Sequence, residues 1–246
     1  MDSSGTRINP VSSTTRLITR KSEPDADALA QRLAHDVAGV LGRAIDERGT
    51  ASLVVSGGGT PKPMFQVLAT HDELDWSKIT VTLADERAVP VDHADSNERF
   101  VHEHLLVGAA AKARFVSLLP QDVSNLADLG PVAARVDAIG DRFDVVMLGM
   151  GGDGHTASLF PDAPELESAM DSSVSVVAVR PPSVAQARIS LSGQRLVATR
   201  HLWLHISGDS KRDVLESALA EGQLPIARVF ALADSANVER LIYLTS

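Results

Sequence analysis

Short apolar runs alternating with helical patterns predict an α/β fold, a mainly parallel sheet flanked by helices on both faces. The runs have strand length and fall at residues 51–55, 79–84, 143–148, 174–179, 189–191, 201–206 and 241–244. Helical patterns fill residues 61–69, 97–106, 132–139 and 211–219, between several of those runs. No internal repeat and no Pro/Gly/Ser linker divides the chain, so one catalytic domain is expected over residues 16–246, behind a flexible polar tail over residues 1–15. At 246 residues such a domain buries roughly 70–75% of its unfolded surface and needs no disulfide or metal staple.

The elements follow from local pattern. Arg16-Leu17-Ile18-Thr19 is a brief segment able to pair as a strand. From Asp25 onward Leu29, Leu33, Val37, Val40, Leu41, Ala44 and Ile45 recur at three- and four-residue spacing, the stripe of an amphipathic helix, and Gly49 stands past its end. Residues 51–55 form an apolar run near glycines, which fits a strand buried on both faces. The remaining runs resemble it. In sheets of this kind ligands bind beyond the carboxyl ends of the strands, so the loops after the runs are where chemistry is expected.

Composition narrows the function classes. Lys and Arg number 23 against 32 Asp and Glu, a net charge of -9 that repels polyanions and disfavours a nucleic-acid partner. No apolar run approaches the ~20 residues of a membrane span, and the N-terminus lacks an apolar signal core, so a cytoplasmic chain with no membrane partner is expected. The cysteine count of 0 removes thiolate metal sites and cysteine nucleophiles. These patterns assign no oligomeric state.

The first loop, Ser56-Gly57-Gly58-Gly59-Thr60-Pro61, directly follows a strand. Its glycines let backbone approach a ligand, Thr60 suits an N-cap, and Pro61 suits the first helical position. Backbone N–H groups at such a helix start hold phosphate. The lysine and hydroxyl pair of a nucleotide loop is missing, which points to a small phosphorylated metabolite. The second loop carries Asp85, Glu86 and Arg87, two carboxylates and a guanidinium able to orient sugar hydroxyls and face an anionic or carbonyl oxygen. Beyond it Asp95 is read as an N-cap with Glu98 in the box position, and Asn97 as a possible ligand contact.

The third loop, Leu148-Gly-Met-Gly-Gly-Asp-Gly-His-Thr-Ala-Ser-Leu-Phe-Pro161, is the most informative. Gly149, Gly151 and Gly154 match the dinucleotide pattern G-x-G-x-x-G, but Asp153 would sit beside the pyrophosphate, and Pro161 and Pro164 interrupt the helix that should follow. Glycines including Gly151 and Gly152 instead permit a strained loop that presents Asp153 and His155 to a cleft, on one face if the segment is extended. Histidine suits proton transfer near neutral pH, and the carboxylate can fix its tautomer. Arg188 opens a strand, and Lys211 lies in the first turn of a helix, an end that disfavours cations unless an anion is near. His102-Glu103-His104 and the pair His201 and His205 fit no zinc pattern, so no metal is expected. The missing G-x-S-x-G elbow leaves an activated water as nucleophile.

Taken together, SGGGTP, LADERAVP, DSN, GMGGDGHTASLFP, ARISLS and ISGDSK, in this order, resemble the 6-phosphogluconolactonase family from about Leu29 onward. The resemblance implies the fold of glucosamine-6-phosphate deaminases and ribose-5-phosphate isomerases. It also implies hydrolysis of 6-phospho-D-glucono-1,5-lactone to 6-phospho-D-gluconate, the second step of the pentose phosphate pathway, with no metal or organic cofactor. It makes His155 the general base with Asp153 beside it and Arg87 the residue at the lactone. Ser56, Gly57, Gly58, Gly59, Thr60, Arg188 and Lys211 then hold phosphate, and Asp85, Asn97, Gly151 and Gly152 complete the substrate contacts. An extra polar N-terminus and a close at Leu244-Thr245-Ser246 depart from the family pattern.

The nearest rival is an aminosugar-phosphate deaminase or isomerase. Against it stand Arg87, where deaminases tend to carry an aromatic residue, and the lack of an acidic residue soon after His155. Arg188 in its Ala-Arg-Ile-Ser-Leu-Ser context also favours the lactonase. A noncatalytic sugar-phosphate sensor would have no use for Asp153 and His155.

Overall fold

The computed structural model describes residues 18–245, and the tail expected over residues 1–15 lies outside them. Along the chain the first strands are β1 (Thr19–Glu23), β2 (Ala51–Val55), β3 (Ile79–Leu83), β4 (Asp85–Arg87) and β5 (Arg114–Val116). They are followed by β6 (Phe143–Leu148), β7 (Val176–Val179), β8 (Arg188–Leu191), β9 (Thr199–His205) and β10 (Glu239–Thr245). The helices are α1 (Ala26–Arg48), α2 (Lys62–Leu68), α3 (Asn97–His104), α4 (Gly130–Asp137), α5 (Leu166–Asp171), α6 (Gly193–Val197), α7 (Asp209–Glu221) and α8 (Pro225–Ser235).

The expected α/β architecture is present, and its main sheet has seven strands in the order β1-β10-β9-β6-β2-β3-β5, every neighbouring pair parallel. β2 and β6 are buried along their whole length, as runs covered on both faces must be. α1 forms where the stripe places it. The Asp25 carboxylate accepts the Ala28 N–H at 2.8 Å, and Gly49 closes the helix at φ 82°. Its apolar face joins one continuous core with the strands, while Ile45 is only partly buried. Under the sheet Asp144 accepts from Ser52 N at 2.8 Å and from Arg48 at 2.6 Å, locking β6 beside β2.

Two apolar runs leave the main sheet. The run expected from residue 174 begins at Val176, and β7 pairs antiparallel with β8, which pairs antiparallel with β4 in a separate three-stranded sheet. The reason lies in the connection. A parallel partner needs a crossover of a dozen or more residues, usually a helix, and between β7 and β8 the chain offers only a short segment with Pro181 and Pro182. β4, read from sequence as loop, is the third strand of that sheet. Helices α5, α6 and α8 and the edge strand β5 also form where the sequence patterns predict no element. α8 nevertheless carries Pro225 in its first turn and buries Ile226, Val229, Phe230 and Ala233 at helical spacing.

The chain order reverses once at the centre of the sheet. From β2 it steps to β3 and β5 on one side, then returns to lay β6 against the other side of β2. A crevice therefore opens between the carboxyl ends of β2 and β6, the position at which such sheets bind ligands. Among the described residues no helix is long and apolar enough to cross a membrane.

Candidate active site

A cavity of about 330 Å³ occupies that crevice, bounded by the loops after β2 and β6, by β4 and β8, and by the end of β9. Ser56, Gly57, Gly58, Gly59, Thr60, Asp85, Arg87, Asn97, Gly151, His155, Arg188 and Lys211 all line it. Asp153 reaches it only through His155, and Gly152 faces solvent outside the lining.

The loop after β2 is tied to its neighbour by Ser56, whose Oγ donates to the Met147 carbonyl at 3.3 Å. Gly57 admits no side chain, because a Cβ there would lie 2.0 Å from Asn97 Oδ1. The expected cap is displaced. α2 begins at Lys62 with Pro61 in the cap position, and Thr60 makes no capping hydrogen bond. A turn closed by Lys62 N donating to the Gly59 carbonyl stands between Thr60 and the helix, so the threonine sits one position too early.

In β4, alternate residues take different roles because their side chains point to opposite faces. Glu86 turns inward, fully buried, and is not a ligand carboxylate. Its oxygens accept from Arg87 N at 2.6 Å, Asn97 N at 2.8 Å, Glu98 N at 2.7 Å and Ser96 Oγ at 3.1 Å, so it caps α3 from across the chain. Burial pushes its carboxyl above the usual range, against the pull of those N–H donors. The local N-cap of α3 is Ser96, which accepts from Arg99 N at 3.1 Å, in place of the expected Asp95 and Glu98 box. Replacing Glu86 with Gln puts an amide NH₂ against a backbone N–H and is expected to cost about 1–3 kcal/mol. Chemical denaturation would measure the loss, and an unchanged midpoint would overturn this account of Glu86.

Asp85 and Arg87 face the cavity. Ser158 Oγ donates to Asp85 Oδ2 at 2.5 Å, and Asn97 Nδ2 donates to the Asp85 carbonyl at 2.8 Å. Arg87 Nη1 donates to Asn97 Oδ1 at 2.5 Å and to the Asp95 carbonyl at 2.9 Å. In the β4–β8 register Arg87 lies directly opposite Arg188. Like charges opposite one another on a sheet are destabilising, and an anion in the cavity removes the penalty. Arg188 is 8% exposed, its Nε is buried without a partner, and burial lowers its pKa while Asp85 opposes the shift.

The loop after β6 brings Asp153 and His155 together, but not along an extended segment. Gly151 N donates to the His155 carbonyl at 2.9 Å and Gly154 N to the Gly151 carbonyl at 3.1 Å, so the chain turns. Within this turn Asp153 Oδ1 accepts from the His155 N–H at 3.1 Å and meets His155 Nδ1 at 2.6 Å. Such a two-residue reach is the Asx-turn geometry that aspartate favours. A carboxylate only accepts, so Nδ1 carries a proton, and in the neutral ring the lone pair is the one on Nε2. The imidazole stacks on Phe160 with centroids 4.0 Å apart and planes at 19°, and Arg188 lies 5.7 Å from the same ring. No helix follows the G-x-G-x-x-G glycines before α5, which agrees with setting the dinucleotide reading aside.

Two residues of the site escaped the sequence reading. Phe160 stands within the third loop motif, but its stacking on His155 leaves no signal in one dimension. His205, at the carboxyl end of β9, lines the cavity with Lys211. Its place at a strand end is the sequence signal for it, although its spacing from His201 suggests a metal pair instead. The two lie four residues apart on one strand, roughly 13 Å, and His201 contacts Glu239 instead. Among the described residues no group of three or more His, Asp or Glu side chains is placed to hold a metal ion.

Comparison with known proteins bears directly on this cavity. Residues 24–238 match the family model described as glucosamine-6-phosphate isomerases/6-phosphogluconolactonase. The chain belongs to this family. It is 47% identical over 203 residues to the 6-phosphogluconolactonase of Pseudomonas putida, covering 81% of this chain and 83% of the relative. The 6-phosphogluconolactonase of Rhizobium meliloti (strain 1021) is 44% identical over 213 residues, 85% of this chain and 91% of its own. The crystal structure of a 6-phosphogluconolactonase from Shewanella baltica OS155 superposes with a TM-score of 0.86 at 38% identity, covering 94% of this chain and 98% of that one. Every site loop described above lies inside the matched residues of this family.

Proposed function

We propose that this chain is a 6-phosphogluconolactonase, hydrolysing 6-phospho-D-glucono-1,5-lactone to 6-phospho-D-gluconate as a cytoplasmic enzyme of the pentose phosphate pathway. The observation that carries the reading is His155, held through Nδ1 by Asp153 at 2.6 Å, in a cavity walled by Arg87, Arg188 and Lys211. The names of the relatives point the same way.

In the proposed chemistry His155 Nε2 takes a proton from water as the water oxygen attacks the lactone carbonyl carbon. The carbonyl π electrons move to oxygen, and Arg87 faces the oxyanion. Collapse of the tetrahedral species re-forms the carbonyl and breaks the bond to the ring oxygen, which receives the proton from His155. The product is an open-chain acid that ionises. Asp153 stabilises the transient imidazolium and keeps the tautomer; general-base help of this kind is worth about 10²–10⁴-fold, and oriented donors at the oxyanion add to it. Arg188, Lys211 and the glycine loop hold the phosphate, while Asp85 and Asn97 face sugar hydroxyls.

The direct test is hydrolysis of freshly generated 6-phosphogluconolactone with the spontaneous rate subtracted, run beside glucosamine-6-phosphate. Turnover of the lactone alone is expected. Binding without turnover would favour a sensor, and ammonia release from the aminosugar a deaminase.

Gly151 supplies a second check. A Cβ there would lie 2.2 Å from His155 Nδ1 and Cε1 and 2.7 Å from Asp153 Oδ1, so alanine must push the ring away. Since displacements near 1 Å cost up to about a hundredfold, Gly151→Ala is expected to lower kcat about 10- to 100-fold with little change in Tm. Unchanged turnover would mean that the observed His155 position is not the reactive one.

A further inference from the structure

The carboxyl end of β9 contributes a group with no part in the proposed proton transfers. His205 is 7% exposed, its Nδ1 is buried without a partner among the described residues, and the residue forms part of the cavity wall with Lys211. Buried imidazoles are almost always hydrogen-bonded, and a ring on a cavity wall with no partner of its own among the described residues is available to one supplied by ligand. Arg188, which lines the same cavity, likewise carries a buried nitrogen without a partner, Nε. Arg188 comes from β8, His205 from β9 and Lys211 from the first turn of α7. Arginine and lysine can only donate, so the ligand that satisfies this wall must carry several acceptor atoms and negative charge.

We propose that His205 is a phosphate-contacting residue of the substrate site, adding an uncharged N–H donor beside the Lys211 ammonium. This deepens the lactonase reading and rests on its placing of the phosphate at Lys211 and Arg188. The chemistry favours histidine over a further cation. Burial, and after it the Lys211 charge, hold His205 down at about 4, so the ring is neutral at pH 7. Arg87 already repels Arg188, and Lys211 acts on His205, so another permanent charge on this wall would add repulsion. A neutral imidazole supplies a hydrogen bond to a phosphate oxygen without it.

The test has two arms. First, ¹⁵N-histidine spectra of the whole chain are followed as inorganic phosphate is added, with His205→Leu to assign the signal. A saturable shift of the His205 ring is expected, and a ring that does not respond overturns the proposal. Second, kcat/KM is compared on phosphorylated and unphosphorylated gluconolactone. His205→Leu is expected to lower the ratio of the two about tenfold, through KM, and His205→Gln, which restores an N–H donor, to recover part of it. An equal loss on both substrates, or a loss in kcat alone, overturns the proposal. If the leucine variant does not fold, the signal is assigned with His205→Gln and the wild-type titration decides. If the wild-type chain hydrolyses neither lactone, the functional reading fails, while the phosphate titration still judges His205.

Discussion

Substitution of His155 by Asn is expected to lower kcat by about 10²–10⁴-fold while KM stays within a few-fold of the parent. Asparagine keeps an N–H able to meet Asp153, whose carboxylate lies 2.6 Å from His155 Nδ1, but it has no Nε2 lone pair with which to accept the proton of water. The loss therefore falls on the chemical step. Folding should survive, because the ring is part-exposed at the cavity edge and its stacking partner Phe160 is held in the core. Steady-state kinetics on the purified variant check this, and turnover near the parent value would remove His155 from the base role.

Lys211→Ala is the second large effect. A charge-assisted hydrogen bond contributes about 1.5–3 kcal/mol, or roughly 10- to 150-fold in affinity, so kcat/KM on the phosphorylated lactone is expected to fall by that factor. The same measurement on the unphosphorylated lactone decides the cause, because there the missing ammonium has no phosphate to meet. An equal loss on both would assign Lys211 to chemistry or folding. From its place in the sequence Arg188→Ala would behave alike, but the structure separates the two. Arg188 lies over Phe160, on which His155 stacks, and its charge acts on Asp85. Its removal is expected to lower kcat as well as raise KM.

The difference between Lys211 and Arg188 marks where one-dimensional reasoning stops. Periodicity reports how many faces of a segment are buried, which is why α1, β2 and β6 were legible and why the crevice at their carboxyl ends could be anticipated. The loop residues Ser56 to Lys211 were recognisable because glycine, histidine and basic residues directly after apolar runs have few purely structural uses. Several of them rested on family resemblance, since a lone Asp85 or Arg87 in a polar loop carries little signal.

Pairing is another matter. A run such as β7 or β8 looks the same whichever strand it joins, and only the lack of a crossover helix between them turned both into a separate antiparallel sheet. That sheet sets Arg87 opposite Arg188 and sends Glu86 inward to cap α3. The Asp153–His155 contact likewise depends on a turn, whereas the sequence places the two on one face only if the segment is extended. The sequence by itself determined the fold class, the strand ends that border the cavity and most of the polar residues that line it. The tertiary structure alone decided which carboxylate faces the cavity, which aromatic ring supports His155, and that His205 joins the wall. Composition and spacing record which atoms a chain carries and which faces it buries, whereas a hydrogen bond or a stacked ring depends on distances between segments far apart in sequence.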